Sequence, residues 1–214
     1  MEECKMLKTY RILSLLMTYP NEEIYNFLPQ VNSSLKEENL LNTETIAGID
    51  AFVDFFARKP LTFWQEFYVQ LFDYSRSVSL YLFEHVHGDS KDRGQAMVDL
   101  IDLYKENGLE ISQSELPDFL PVFLEFLALQ TSLKASEYLA EIIDIVGFIH
   151  SKLEEKDNPY QYLLSAIINL SAKQPVEARI QQMASNMPEI SIDEAYEEKP
   201  VTFASDNPCT TCKS

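Results

Sequence analysis

At 214 residues the chain has room for one sizeable domain or two small ones, and its 46% hydrophobic content can fill a large core. Five glycines leave little material for phosphate-cradling loops or tight hairpins, while abundant Leu, Glu, Ala and Lys favour helix. Seventeen Lys and Arg against 34 Asp and Glu give a formal net charge of −17, which repels a nucleic-acid backbone or an anionic membrane surface and attracts a basic peptide or protein segment.

The first twenty residues, MEECKMLKTYRILSLLMTYP, are partly apolar, but Glu2, Glu3, Lys5, Lys8 and Arg11 interrupt them. The spacing suits neither a signal peptide nor a membrane span. It predicts a helix with Met6, Tyr10, Leu13 and Met17 on one face, closed before Pro20. Ile24, Phe27 and Leu28 mark a second helix before Pro29, and Ile46, Ile49, Phe52, Val53 and Phe56 a third before Pro60. Thr62 and Gln65 have capping-box spacing, and behind them Phe63, Trp64, Phe67, Tyr68, Leu71 and Phe72 form an aromatic stripe central to the core.

A break at 73–77 precedes an apolar stretch from Val78 to His87 and the polar run HGDSKDRG. Met97, Leu100, Ile101 and Tyr104 then recur at i, i+3, i+4 and i+7, with Gly108 placed to end that helix in the left-handed conformation. In ELPDFLPVFLEFL, Pro117 stiffens the approach and Asp118 stands where it would cap a helix that Phe119, Leu120, Phe123, Leu124, Phe126 and Leu127 cover on more than half its circumference. Glu125, an acid on this oily helix, needs a partner, either an internal Arg or Lys or a cation on a bound peptide.

Leu139, Ile142, Ile143, Val146 and Ile149 make another amphipathic helix. Asn158 and Pro159 read as N-cap and N1 of the helix holding Leu163, Leu164, Ile167 and Ile168, and Pro175 starts a last helix through Met187. No stretch alternates with period two for long enough to require a sheet. The expected fold is all-α, a single-domain bundle of about eight to ten helices over residues 1–188, followed at 189–214 by a flexible acidic tail.

Candidate chemistry concentrates in Glu84, His85, His87, Asp89, Lys91, Asp92 and Arg93. Imidazole and carboxylate ligate metals, but an H-x-H pair on a helix points its rings about 200° apart, so a metal site over His85, His87 and Asp89 would need a turn and further ligands. General acid–base work by His85 or His87 with Glu84 lacks a nucleophile or oxyanion hole beside it. The plainer reading is a helix junction in which Asp89 or Ser90 caps the following helix. Cys209 and Cys212 have C-x-x-C spacing without a second pair or a βαβ context, so neither zinc nor a thioredoxin-like site is expected, although a redox-responsive adaptor is one alternative. Three cysteines, with Cys4 distant from that pair, make no disulfide framework and point to a reducing, cytoplasmic setting.

Two of these junctions, LFEHVHGDSKDRGQAMVDLIDLY (Leu82 to Tyr104) and ELPDFLPVFLEFL (Glu115 to Leu127), resemble the nitrate reductase delta-subunit (NarJ-like) family, within the wider TorD-like group of redox-enzyme maturation chaperones. FYVQLFDYSRSVSLYLFE (Phe67 to Glu84) and DEAYEEKPVTF (Asp193 to Phe203) are similar to that family as well. The resemblance implies an all-helical chaperone without catalytic activity, bound cofactor or metal. Its partner would be the apo catalytic (alpha) subunit of respiratory nitrate reductase, held by its N-terminal segment while iron–sulfur and molybdenum cofactors are loaded, before docking at the membrane. It also implies client contacts around Glu84, His85, His87, Asp89, Arg93, Glu115, Pro117, Asp118, Leu120 and Glu125. Exposed apolar surface on a client-free protein would further permit a monomer–dimer equilibrium.

Overall fold

The computed structural model describes residues 6–86, 91–111 and 115–186. The tail at 189–214, with Cys209 and Cys212, and the positions of Cys4, His87, Asp89 and Ser90 lie outside the described residues. Ten α-helices are present among them: α1 (Lys8–Leu16), α2 (Glu22–Phe27), α3 (Val31–Glu38), α4 (Thr43–Ala57), α5 (Leu61–Phe72), α6 (Lys91–Glu106), α7 (Leu120–Ala128), α8 (Ser132–Glu154), α9 (Gln161–Leu170) and α10 (Glu177–Asn186). Short 3₁₀ turns cover Leu28–Gln30, Arg76–Val78 and Leu82–Glu84. The fold is all-α and forms a single helical domain, as the periodicity predicts.

The helix starts use several devices. Asn21 and Asn42 accept from the N–H groups of Ile24 and Thr45 at 2.9 and 2.8 Å, each satisfying one donor that a helix start leaves bare. No side chain within α1's own start caps it. Glu38, at the end of α3, instead accepts from the Lys8 and Thr9 N–H groups at 2.9 and 2.6 Å, which places a carboxylate on the positive end of α1. Gly108 closes α6 at φ 83°, with Gly108 N–H on the Lys105 carbonyl at 3.1 Å and Leu109 N–H on that of Tyr104 at 2.9 Å, the paired bonds of a Schellman motif.

Three local readings are corrected. Thr62 and Gln65 form no capping box: α5 starts two residues earlier, at Leu61 behind extended Pro60, and the Gln65 amide donates to the Pro20 carbonyl at 3.0 Å, so it ties α5 to the loop after α1. Asn158 accepts from the Tyr160 N–H at 3.0 Å, but a turn intervenes and α9 begins only at Gln161. Asp118 does not cap α7, whose first turn has Phe119 at the cap position and no side-chain acceptor. The carboxylate is used elsewhere.

Packing follows the apolar stripes. Tyr160, just before α9, is completely buried, and its ring lies 5.1 Å from Phe52, 5.8 Å from Phe56 and 4.9 Å from Phe72 between ring centroids. Trp64 stacks on Phe56 and donates its indole N–H to the Tyr160 hydroxyl at 2.7 Å. This pair welds α4, α5 and the start of α9 into one aromatic core. On the far side, α10 rests on α8 at Gly147, where a β-carbon would come within 2.6 Å of the Pro175 ring, so only glycine permits that approach.

Helices α1 and α7 run antiparallel, tied by Leu7 N–H on the Ala128 carbonyl at 2.8 Å, an Arg11–Glu125 ion pair, and the Ser14 hydroxyl on the Pro121 carbonyl at 2.8 Å. Each tie sits about one helical turn beyond the last on both helices. Glu125 thus finds an internal partner, 114 residues away, which is 125 minus 11.

Replacing Tyr160 by Phe leaves the ring packing but strands the indole N–H of Trp64 inside the core. Tyr160→Phe is expected to cost about 1–3 kcal/mol, read as a lower urea midpoint at unchanged slope. An unshifted midpoint would show that this hydrogen bond contributes nothing net.

Candidate functional site

The apolar stretch after α5 is neither helix nor strand. The 3₁₀ turns at Arg76–Val78 and Leu82–Glu84 flank a short extended piece, and this piece pairs with the approach to α7. Tyr81 and Phe119 form an isolated antiparallel bridge, with Leu120 N–H on the Leu80 carbonyl at 2.8 Å and Leu82 N–H on the Asp118 carbonyl at 2.9 Å. The Tyr81 and Phe119 rings lie 5.1 Å apart on the same side.

Asp118 is wholly buried beneath this bridge. Its Oδ2 accepts from the Phe83 N–H at 3.1 Å and lies 3.9 Å from the Arg93 guanidinium, which is also 3.7 Å from Glu84. Burial pushes the Asp118 carboxyl above the usual carboxylate range, against the Phe83 hydrogen bond and the Arg93 charge, which pull it down. Its Oδ1 has no hydrogen-bond partner among the described residues.

His85 is buried beside this cluster, edge-on to Phe148 at 5.5 Å, and its Nε2–H donates to the Ser79 carbonyl at 2.8 Å. Burial lowers its pKa, so the ring is held neutral with Nδ1 unprotonated. One ring nitrogen is therefore already committed to the fold. Among the described residues no group of three or more His, Cys, Asp and Glu is placed to hold a metal ion.

The structure thus brings Glu84, Arg93 and Asp118 together as a cross-link between the turn after α5, the start of α6 and the entry to α7, with His85 next to Glu84 in the turn. Pro117 and Leu120 point inward: the Pro117 carbonyl accepts from the Tyr104 hydroxyl at 2.8 Å, and Leu120 is completely buried. Glu115 and Glu125 lie apart from this cross-link, on a cleft of about 490 Å³ between the ends of α1 and α5 and the face of α7.

That cleft has aromatic walls, Tyr19, Tyr68, Phe72, Tyr81 and Phe119, and three carboxylates, Asp73, Glu115 and Glu125. Ser14 of α1 and Thr18, just beyond its end, line it too. Asp73 and Glu115 each raise the pKa of both Tyr68 and Tyr81, added to the effect of burial, so their negative fields overlap across the cleft. Neither His85 nor His150 lines it. Oily walls under a negative rim suit an amphipathic segment carrying Lys or Arg.

Sequence reasoning missed Tyr19, Tyr68, Tyr81 and Asp73 as cleft residues. Tyr68 read as core, Tyr81 only as part of the apolar stretch 78–87, Tyr19 carried no reading of its own, and Asp73 read as a break.

The two buried groups give opposite pH dependences. A His with a lowered folded pKa favours the fold less as it charges in the unfolded chain, so His85, and likewise half-buried His150, cost stability as pH falls below about 6.5. Asp118, with a raised folded pKa, costs stability as pH rises from the ordinary carboxylate range through its own value. Denaturant melts across a pH series should therefore show a shallower acid-side loss in His85→Gln, which can still donate to Ser79, and a flatter slope above about pH 4 in Asp118→Asn. Parallel profiles for wild type and variants would contradict both assignments.

The family model described as nitrate reductase delta subunit matches residues 38–164, from the end of α3 to the middle of α9, including both paired segments. The chain is 34% identical over 203 residues to the nitrate reductase molybdenum cofactor assembly chaperone NarJ of Escherichia coli K12, covering 92% of this chain and 86% of that one. It is 30% identical over 212 residues to NarW of the same strain, described as a chaperone of the same kind, covering 97% and 88%. A crystal structure of a protein from Archaeoglobus fulgidus, described as a redox enzyme maturation protein, superposes with a TM-score of 0.54 at 23% identity, covering 78% of this chain and 94% of that one, which shows a shared fold. The chain belongs to the nitrate reductase delta subunit family.

Proposed function

We propose that this protein is an assembly chaperone for a respiratory nitrate reductase. It holds the apo catalytic subunit by that subunit's N-terminal segment, keeps it open for molybdenum cofactor insertion, and releases it for docking at the membrane. The acidic, aromatic cleft between α1, α5 and α7 receives the segment. The observation that carries this reading is the overlap of Asp73, Glu115 and Glu125 around one oily cleft in a chain of this family. The names of NarJ and NarW support the role, and a net charge of −17 favours encounter with a basic segment.

The protein works by stoichiometric binding, without turnover, in the cytoplasm where the cofactor is supplied. No helix among the described residues is long and apolar enough to cross a membrane. Glu84, His85, Arg93 and Asp118 act on the client indirectly, by fixing the Tyr81–Phe119 wall of the cleft. Exposed apolar side chains such as Tyr19 and Tyr74 let two client-free copies pair, in a monomer–dimer equilibrium that the client displaces.

Calorimetric titration with a synthetic peptide of the first ~30 residues of the nitrate reductase catalytic subunit, at two salt concentrations, tests this. One-to-one binding is expected, weakened by salt and weakened roughly two- to tenfold in an Asp73→Asn, Glu115→Gln double variant, because each partly exposed charge pair contributes only about 0.2–1 kcal/mol. No binding of the peptide or of the whole cofactor-free subunit would refute the role. Binding indifferent to the double variant would move the site away from the cleft.

A further inference from the structure

The three cleft carboxylates are not equivalent. Asp73 and Glu115 make no ion pair among the described residues, whereas Glu125 is already paired with Arg11. Arg11 stands three residues before Ser14 on α1, so it shares the helix face that lines the cleft and extends it by one turn. It is one of this chain's own cations, seated where a cation on a docked segment would go.

Neither partner is sealed. The Arg11 and Glu125 side chains keep 35% and 42% of their exposure, so water screens the pair and can replace either member. The α1–α7 seam does not depend on it either. The seam is tied one turn away on each side by Leu7 N–H to the Ala128 carbonyl and by the Ser14 hydroxyl to the Pro121 carbonyl, and it buries Leu13, Leu16, Leu124 and Leu127 completely.

We propose that Arg11 is an internal stand-in for the client's cation: it holds Glu125 in the client-free protein, and a Lys or Arg of the docking segment takes Glu125 over as it binds. This rests on the cleft being the client site. The exchange trades one ion pair for another, so Glu125 adds little to the depth of binding. It adds selectivity, because a segment with no cation at that register leaves Arg11 in place and the end of the cleft closed.

The test is titration of the purified full chain with the same synthetic peptide at low salt, using Arg11→Gln. The variant is expected to bind about two- to fivefold more tightly, since no internal cation then competes for Glu125. Lys8→Gln is the control: it removes the same charge from the exposed Lys8–Glu37 pair, which does not line the cleft, and should change affinity less. Adding Glu125→Gln to Arg11→Gln should abolish the gain, with thermal melts confirming that all variants fold. Arg11→Gln binding no more tightly than Lys8→Gln would overturn the exchange and leave the cleft reading intact. A wild-type protein that does not bind the peptide would overturn the cleft reading itself.

Discussion

The arrangement turns on one buried carboxylate. Taking Asp118 entirely out of water costs several kcal/mol unless its charge is met, and the Phe83 N–H and Arg93 meet it in part, from two directions. These partners belong to the turn after α5 and to α6, while Asp118 itself stands at the entry to α7. Three pieces of chain that helix packing alone would leave loosely related are thereby fixed against each other. The Leu80–Leu120 and Leu82–Asp118 backbone bonds follow, and the Tyr81 and Phe119 rings are left side by side as a wall of the cleft. Because Asp118 is buried and Phe119 and Tyr81 are less so, the same junction is rigid underneath and presents aromatic surface above.

Helix α7 shows why the cleft has the character it does. Its residues are buried on several faces, so any polar side chain it carries must leave through the one open strip beside α1. That strip holds Glu125, and the antiparallel seam delivers Arg11 to it. Ser14 on α1 and Thr18 just past its end continue the polar edge while Tyr68 and Phe72 of α5 supply the oily floor. A negative rim over aromatic walls is therefore what remains when three helices bury their apolar stripes incompletely at one corner.

Helix content was legible because period 3.6 is repeated by almost every apolar set, and Gly108 was legible because a left-handed C-terminal residue has a strong local preference. What failed were local rules with a distant competitor. Asp118 has every local mark of a helix cap, yet the Phe83 N–H, 35 residues away, takes its carboxylate. Gln65 has capping-box spacing and is drawn off by the Pro20 carbonyl. The partner of Glu125 could not be chosen from sequence because it lies on the first helix. The family resemblance located both paired segments without showing that they touch. It also named Pro117 and Leu120 as contacts, although both side chains face the core, since sequence likeness marks residues that build a surface together with those that form it.

In the proposed role the protein must let its client go as well as hold it, and the site's composition bears on that. Fully buried ion pairs would bind tightly and exchange slowly, because breaking one strands a charge in a dry interior. The cleft carboxylates instead sit at the rim, where each contributes little and salt weakens them together. Grip then depends on apolar contact with Tyr19, Tyr68, Tyr81 and Phe119, which is lost gradually as a segment peels away. Charge brings the segment in and selects its register, while aromatic area holds it. Because neither term alone is large, folding of the client around its cofactors can withdraw the segment without any energy input from the chaperone.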